Sequence, residues 1–427
     1  MLKKALALYS LVLIFATIQI SAADQIGPLD DSGEINGAPY RIVVPANWNG
    51  TLLVYAHGYR DKADHPGEVD ARAADVAPNA ALVPALLAQG YALAGSAYRD
   101  NGWEVEGGVQ DLKDLTVYFK DNIAQPDRTI LWAFSMGTVI GFDSMERFHG
   151  IYDGALCACA VGAGATQTWD AGTDFLVGYE VLFGMPGTWG SPADIRDDID
   201  FETEAQPKLI SEVSNPANFP KFEFLRLVVG IPGRGITPPP PPNFYPGSLF
   251  TEMFFATEAR AELERRAGAP FVQNLDRNYS LSPEERLYLT VGLGVPSVVV
   301  DTWLAQMNGN RTISSPPFSR NYVERNANYS GKIKAPVLTM HTVVDPLVTV
   351  SQSAEYADTV GTAGRGRFLK QTYTNGIGHC NFTGPQLITA VNAINGWVTT
   401  GQAPPDSAFP AALSFVPGFI PPRMLQP

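Results

Sequence analysis

The residues best suited to chemistry are Ala133-Phe134-Ser135-Met136-Gly137, a serine with very small side chains two positions before and after it. They join an apolar run, Thr129–Phe134, to a segment that reads as a helix from Met136. A serine turned sharply between strand and helix needs such neighbours, because the helix start would otherwise clash with the strand it has just left. The turn lifts the hydroxyl clear of the sheet and leaves the next N–H at a helix N-terminus, where negative charge is favoured. A serine hydroxyl becomes a useful nucleophile once a base takes its proton and an acid orients that base. The chain has five histidines: His57, His65, His149, His341 and His379. His379 lies in a glycine-rich loop, Asn375-Gly376-Ile377-Gly378-His379-Cys380, after a strand and before the last helix. Asp345 directly follows another apolar strand, and the order Ser135, Asp345, His379 is the one expected for this nucleophile turn. Asp100 and Asp301 are weaker alternatives for the acid.

The other titratable residues have simpler readings. His57 is expected to brace the loop it sits in, His341 to be a satisfied core histidine, and His65 and His149 to be exposed. Asp143 and Glu146 read as solvent-facing or packing residues. No two histidines stand at metal-ligand spacing with a carboxylate, so no metal and no cofactor is expected.

Strands alternating with helices must position these groups. Tyr40–Val44 reads as the clearest strand of an opening hairpin over 33–48, Thr51–Ala56 as a buried strand, and Asp61–Pro78 as a polar loop. A helix over Ala80–Gln89, a strand over Tyr91–Tyr98 and a helix over Val109–Asn122 follow. After the serine turn comes a strand over Gly154–Gly162. The rhythm stops near Gly164 and resumes with Ala335–Thr342 (strand), Ser351–Val360 (helix), Arg367–Thr374 (strand) and Pro385–Thr399 (helix). Between lie helical segments such as Thr257–Ala267 and Ser282–Leu293, and a rigid spacer, Pro238–Pro242. The class is α/β, a mostly parallel sheet flanked by helices, with an inserted, mainly helical domain.

Over its 427 residues the chain is 45% hydrophobic and 17% charged, an ordinary globular balance. Lys3-Lys4, the apolar run Ala5–Ile20 and Ser21-Ala22-Ala23 have the order of a secretory signal, so residues 1–23 are expected to be removed. The chain is then secreted or periplasmic, without stable membrane insertion. The formal net charge of −13 becomes about −15 without Lys3 and Lys4, which argues against nucleic acid as a partner. Three cysteines, Cys157, Cys159 and Cys380, allow one disulfide and one free thiol. Cys157 and Cys159 should point the same way on their strand, so the expected bond links Cys380 to Cys157 or to Cys159.

The serine turn, the strand-end His57-Gly58, the strand-end Asp345 and the late Gly378-His379 together resemble the α/β-hydrolases over residues 35–164 and 326–400. That resemblance implies that Ser135 attacks, that His379 is general base and then acid, and that Asp345 orients and stabilises the imidazolium. It also implies an oxyanion hole from the backbone N–H groups of Tyr59 and Met136, and a cap after the sixth strand. The domains expected are then a signal (1–23), a core in two parts (24–164 and 326–400), a cap (165–325) and a proline-rich tail (401–427). Ala133 stands where the family usually has glycine. The His379-Cys380 pair is also similar to tannase-like feruloyl esterases, whose cysteine bonds to one just before the serine. Phe134 occupies that place here, so that likeness stops there. Secreted tripeptidyl-aminopeptidase-like enzymes combine the same core with a large cap.

The activity expected is that of a serine hydrolase cleaving a small-molecule or oligomeric carboxylic ester through an acyl-enzyme. Tyr98, Trp103 and Trp169 are candidates for the substrate pocket. An aminopeptidase or a lactonase would use the same triad; a peptidase would need groups in the cap to bind a peptide terminus, with Glu180 and Asp174 as candidates to hold an N-terminal amine. A binding protein without catalysis is the remote alternative. Oligomeric state is left open.

Overall fold

A computed structural model describes residues 27–233 and 246–424; the expected signal and the run Pro238–Pro242 lie outside them. Three strands, β1 (Leu29–Ile35), β2 (Ala38–Val44) and β3 (Thr51–Ala56), open the chain. Next come α1 (Val83–Ala88), β4 (Ala92–Ser96), α2 (Val105–Asn122), β5 (Arg128–Phe134), α3 (Met136–Arg147) and β6 (Gly154–Ala158). A long helical insert follows, running from α4 (Ala165–Phe183) through α5 (Gln206–Val213), α6 (Phe219–Val228), α7 (Pro246–Ala256) and α8 (Glu258–Ala267). It continues with α9 (Pro283–Leu287), α10 (Ser297–Gly309) and α11 (Pro317–Ala327). The chain re-enters the sheet with β7 (Val337–Val344), then α12 (Gln352–Thr362), β8 (Leu369–Ile377) and α13 (Gly384–Thr400).

The eight strands form one sheet in the order β1-β2-β4-β3-β5-β6-β7-β8. Only the β1–β2 and β2–β4 pairs are antiparallel. From β4 to β8 every pair is parallel, with Tyr55 opposite Trp132 and Ala56 opposite Ala133 where β3 meets β5. Every residue of β3 and β7 is buried, as expected for parallel strands covered on both faces. One face packs against α2, α3 and α12 through Leu112, Phe119, Phe142 and Tyr356; the other packs against α1 and α13 through Leu86, Leu387 and Trp397. Strand order reverses between β3 and β5, and the crevice beyond their carboxyl ends is where an open sheet of this kind places its ligand.

Three expected boundaries move. Helix α2 starts at Val105 and not at the expected Val109, taking in Gly107 and Gly108. Gly108 is a contact point, where a Cβ would come within 2.6 Å of Ile140 Cδ1. Strand β6 stops at Ala158 because Cys159 turns to φ 48°. That turn sends the Cys157 and Cys159 side chains to opposite faces of the sheet, against the expectation that they point the same way. The segment 282–293 is α9 followed by a wider π turn over Tyr288–Gly292.

Buried and half-buried charges hold the insert together and tie it to the core. Helix α4 carries Asp170, held by both terminal nitrogens of Arg320 at 2.8 and 2.9 Å, and Asp174, paired with Arg277. Helix α8 reaches the loops above β3 and β4: Arg265 pairs with Asp64, and Arg266 with Asp100, Glu104 and Glu262. No helix among the described residues is long and apolar enough to cross a membrane.

The C-terminal segment closes the β8 edge. Thr374 bridges to Phe415, Asn375 N–H donates to Ser414 O, and Val416 N–H donates to Tyr373 O. Phe409 and Phe415 are buried with their rings 5.4 Å apart. Truncating Phe415 to alanine removes an aromatic anchor and should cost about 3 kcal/mol or more of stability in chemical denaturation. A change below about 1 kcal/mol would mean that the tail is not part of the folded core.

Candidate active site

Ser135 leaves β5 with φ 53° and ψ −126°, a conformation that costs an L-residue about 1–3 kcal/mol and needs close support. That support comes from small residues on three sides. A Cβ on Gly137 would lie 2.6 Å from His57 O, and one on Gly58 would lie 3.1 Å from Ser135 Cβ. The Ala133 methyl, in place of the usual glycine, fits because α3 presents Gly141 to it; a Cβ there would stand 3.1 Å from Ala133 Cβ. Thr138 fastens the turn by donating its N–H (2.8 Å) and its hydroxyl (2.6 Å) to Ser135 O, while its oxygen accepts from Val161 N–H.

The three candidate triad residues meet at the strand ends. Ser135 Oγ lies 2.7 Å from His379 Nε2, and His379 Nδ1 lies 2.8 Å from Asp345 Oδ2. A carboxylate can only accept, so the proton sits on Nδ1 and Nε2 is free to accept from the serine hydroxyl. Asp345 is fully buried, and its Oδ1 accepts the N–H groups of Leu347 and Val348, each at 3.0 Å. Burial would raise its carboxyl, but His379 and His341, by charge and hydrogen bond, outweigh that and hold it well below the usual range. His341 is buried, donates from Nε2 to Val348 O at 2.7 Å, and lies 3.3 Å from Asp345 Oδ2. Strand alternation puts positions 341 and 345 on one face, a signal for this contact that the sequence reading did not use.

The loop after β3 supplies the other wall. His57 donates from Nδ1 to Gly58 O at 2.6 Å and stacks on Tyr98, with ring centres 3.9 Å apart. Tyr98 is fully buried and donates its hydroxyl to His57 O, so it braces this loop and is not a pocket wall as expected. The loop brings Gly58 against the serine turn, and the next N–H, that of Tyr59, has no acceptor among the described residues. The Met136 N–H is a first-turn donor of α3 without an intrahelical acceptor.

A pocket of about 50 Å³ opens in front of Ser135, lined by Tyr59, Trp103, Trp169, Phe255 and Glu252 among others. Trp103 and Trp169 meet edge to face at 5.3 Å. A larger cavity of about 850 Å³ shares Thr168, Gly172, Glu252 and Leu347 with it. Phe255 and Glu252 were not singled out from sequence, although Glu252 is the one charged residue of α7, a helix otherwise apolar enough to mark it.

Other expected residues are placed elsewhere. Asp100 pairs with Lys62 and Arg266, and Asp301 with Arg286, so neither reaches His379. Asp174 is committed to Arg277 and Tyr279, and Glu180 is exposed, so neither is a free amine anchor. His149 is exposed, but His65 is mostly covered, its Nε2 3.8 Å from Glu258. Asp143 is half-buried beside Arg147, and burial raises it to about 6. Among the described residues, Cys159, His379 and Cys380 form the one close group with metal-ligating atoms, and both sulfurs are used in a disulfide.

That disulfide joins the end of β6 to the residue after His379, and Cys157 is the buried free thiol. Replacing Cys159 and Cys380 together by serine should lower stability by about 2–4 kcal/mol and reduce kcat more than it raises KM, because the His379 loop loses its tether. Unchanged denaturation and kinetics would contradict this. A pH effect is expected at His57, which burial and then the Arg60 charge lower to about 3. Between that value and the unfolded value near ~6.5 the unfolded chain binds more protons. Stability should therefore rise with pH across that window, by up to about 1.4 kcal/mol per unit. The His57→Gln variant should show a shallower slope in denaturation midpoints measured from pH 3 to 7, and an identical slope would refute the assignment.

No family model matches the chain. It is 23% identical over 432 residues to an o-phthalyl amidase of Xanthobacter agilis, covering 90% of this chain and 89% of that one. Among solved structures it is similar to an esterase from Aspergillus oryzae, at 14% identity and a TM-score of 0.39, covering 88% of this chain and 80% of that one. An epoxide hydrolase from Vigna radiata matches at 15% identity and a TM-score of 0.38, covering 88% and 97%. Those scores are too low to add to what the connectivity itself establishes. The order of the eight strands, with Ser135 on the turn leaving β5 and Asp345 and His379 following β7 and β8, is that of the α/β-hydrolase fold.

Proposed function

We propose that the protein cleaves a carboxylic ester through an acyl-enzyme, with Ser135 as nucleophile, His379 as base and then acid, and Asp345 orienting the imidazole. The observation that carries this reading is the unbroken hydrogen-bond chain from Asp345 through His379 to Ser135 at the turn after β5. As Ser135 Oγ attacks the ester carbonyl, His379 Nε2 takes its proton, and the imidazolium is stabilised by the ionised Asp345. The tetrahedral oxyanion is held by the N–H groups of Met136 and Tyr59. His379 then gives its proton to the departing alkoxide and next activates a water, which releases the acid and restores the serine.

Hydrolysis of an amide is the second reading, favoured by the similarity to an o-phthalyl amidase over 90% of this chain. The chemistry is the same, except that an amine leaves and protonation by His379 must come early, since an amide anion is a poor leaving group. For the setting we propose an oxidising compartment outside the cytoplasm, in keeping with the Cys159–Cys380 bond and the expected signal.

The test compares wild type with Ser135→Ala on p-nitrophenyl esters from acetate to palmitate, on the matching anilides, and with a fluorophosphonate. Ester turnover should fall by at least about a thousandfold in the variant, and labelling should disappear. Anilide turnover with little ester turnover would favour the amide. A wild type that neither turns over nor labels would refute both.

A further inference from the structure

The insert contains five deeply buried acids that each face an arginine: Asp170 with Arg320, Asp174 with Arg277, Glu223 with Arg226, Glu262 with Arg266 and Glu264 with Arg260. A sixth buried acid, Glu258, accepts from Phe201 N–H and lies 3.8 Å from His65 Nε2. Glu252 breaks the pattern. It is 7% exposed and has no hydrogen-bond or ion-pair partner among the described residues. A carboxyl removed from water without a partner is costly, so its place in the fold calls for an explanation. That place is the wall shared by the Ser135 pocket and the larger cavity.

The surroundings select what could satisfy it. No lysine or arginine lines the Ser135 pocket, whose other walls are largely aromatic and aliphatic. Burial raises the Glu252 carboxyl well above its ordinary value, and the nearby Asp345 carboxylate raises it further. A ligand anion would be repelled by the Asp345 carboxylate and would gain no counter-charge at Glu252. A ligand ammonium would be attracted by Asp345, would favour the ionised form of Glu252 that burial disfavours, and would return to it the hydrogen bonds that burial removes. The pocket that Glu252 shares with Ser135 is only about 50 Å³, so a group bound there lies within a few bonds of the carbonyl under attack.

We propose that Glu252 is a specificity-determining residue that binds a protonated amine close to the scissile carbonyl, making aminoacyl esters or amides the preferred substrate class. This rests on the reading of Ser135 as nucleophile. The amine anchor is then Glu252 on α7, and neither Asp174 nor Glu180 on α4.

Two methyl esters separate the possibilities, those of alanine and of isobutyric acid, which differ by an ammonium in place of a methyl group. Their hydrolysis is followed by pH-stat below the pKa of the alanine ester amine, for wild type and Glu252→Gln. The wild type should prefer the alanine ester by about tenfold or more in kcat/KM. The variant should bring the ratio close to one; because the ratio is taken within each protein, a partial loss of folded enzyme cancels. A wild type without the preference, or a variant that keeps it, overturns the proposal while fluorophosphonate labelling of Ser135 upholds the nucleophile. Absence of labelling in the wild type overturns both.

Discussion

Ser135 occupies a backbone conformation that side chains avoid, and much of the surrounding structure exists to hold it there. The turn is possible only if β3 and α3 come unusually close, which excludes a Cβ at Gly137 and crowds one at Gly58. The same crowding explains why Ala133 is tolerated: the missing space is returned on the opposite side by Gly141. The Thr138 bonds to the Ser135 carbonyl then link the turn to the strand beyond it, so the serine is braced from β3, α3 and the end of β6 together.

Electrostatics arranges the second half of the site by a different rule. Asp345 is fully buried yet stays charged because two backbone N–H groups and two imidazoles converge on it. The insert follows the same rule at a distance, holding its buried acids against arginines and stitching α8 to the loops of the core. Satisfaction of buried charge is thus the common theme, and an acid left out of it, on the wall of the serine pocket, stands out by contrast.

The sheet and the three residues at its strand ends were readable because chemistry constrains both residue type and chain order, and continuous apolar runs mark parallel strands. Residues that act through packing were harder to read. Tyr98 looks like any aromatic near a site, and only the stacking on His57 identifies it as a brace. Gly107 and Gly108 lie inside α2 where a helix former would be expected, because a side chain at 107 would meet Glu104 and Arg99, and one at 108 would meet Ile140 of α3. The choice of Cys159 as the partner of Cys380 depended on a single left-handed residue that ends β6, which no local pattern announces. Glu252 was visible as a charge in an apolar helix, but its meaning required the cavity.

The disulfide also has a topological consequence. Its two cysteines are 221 positions apart, and the whole helical insert lies between them. A chain cut anywhere in that insert becomes two polypeptides, one ending β6 and the serine turn, the other carrying the acid and the histidine. They would still be one covalent molecule, joined beside the histidine at the point where the two pieces must cooperate. The insert can therefore be nicked, or evolve by insertion and loss, without Ser135 and His379 drifting apart.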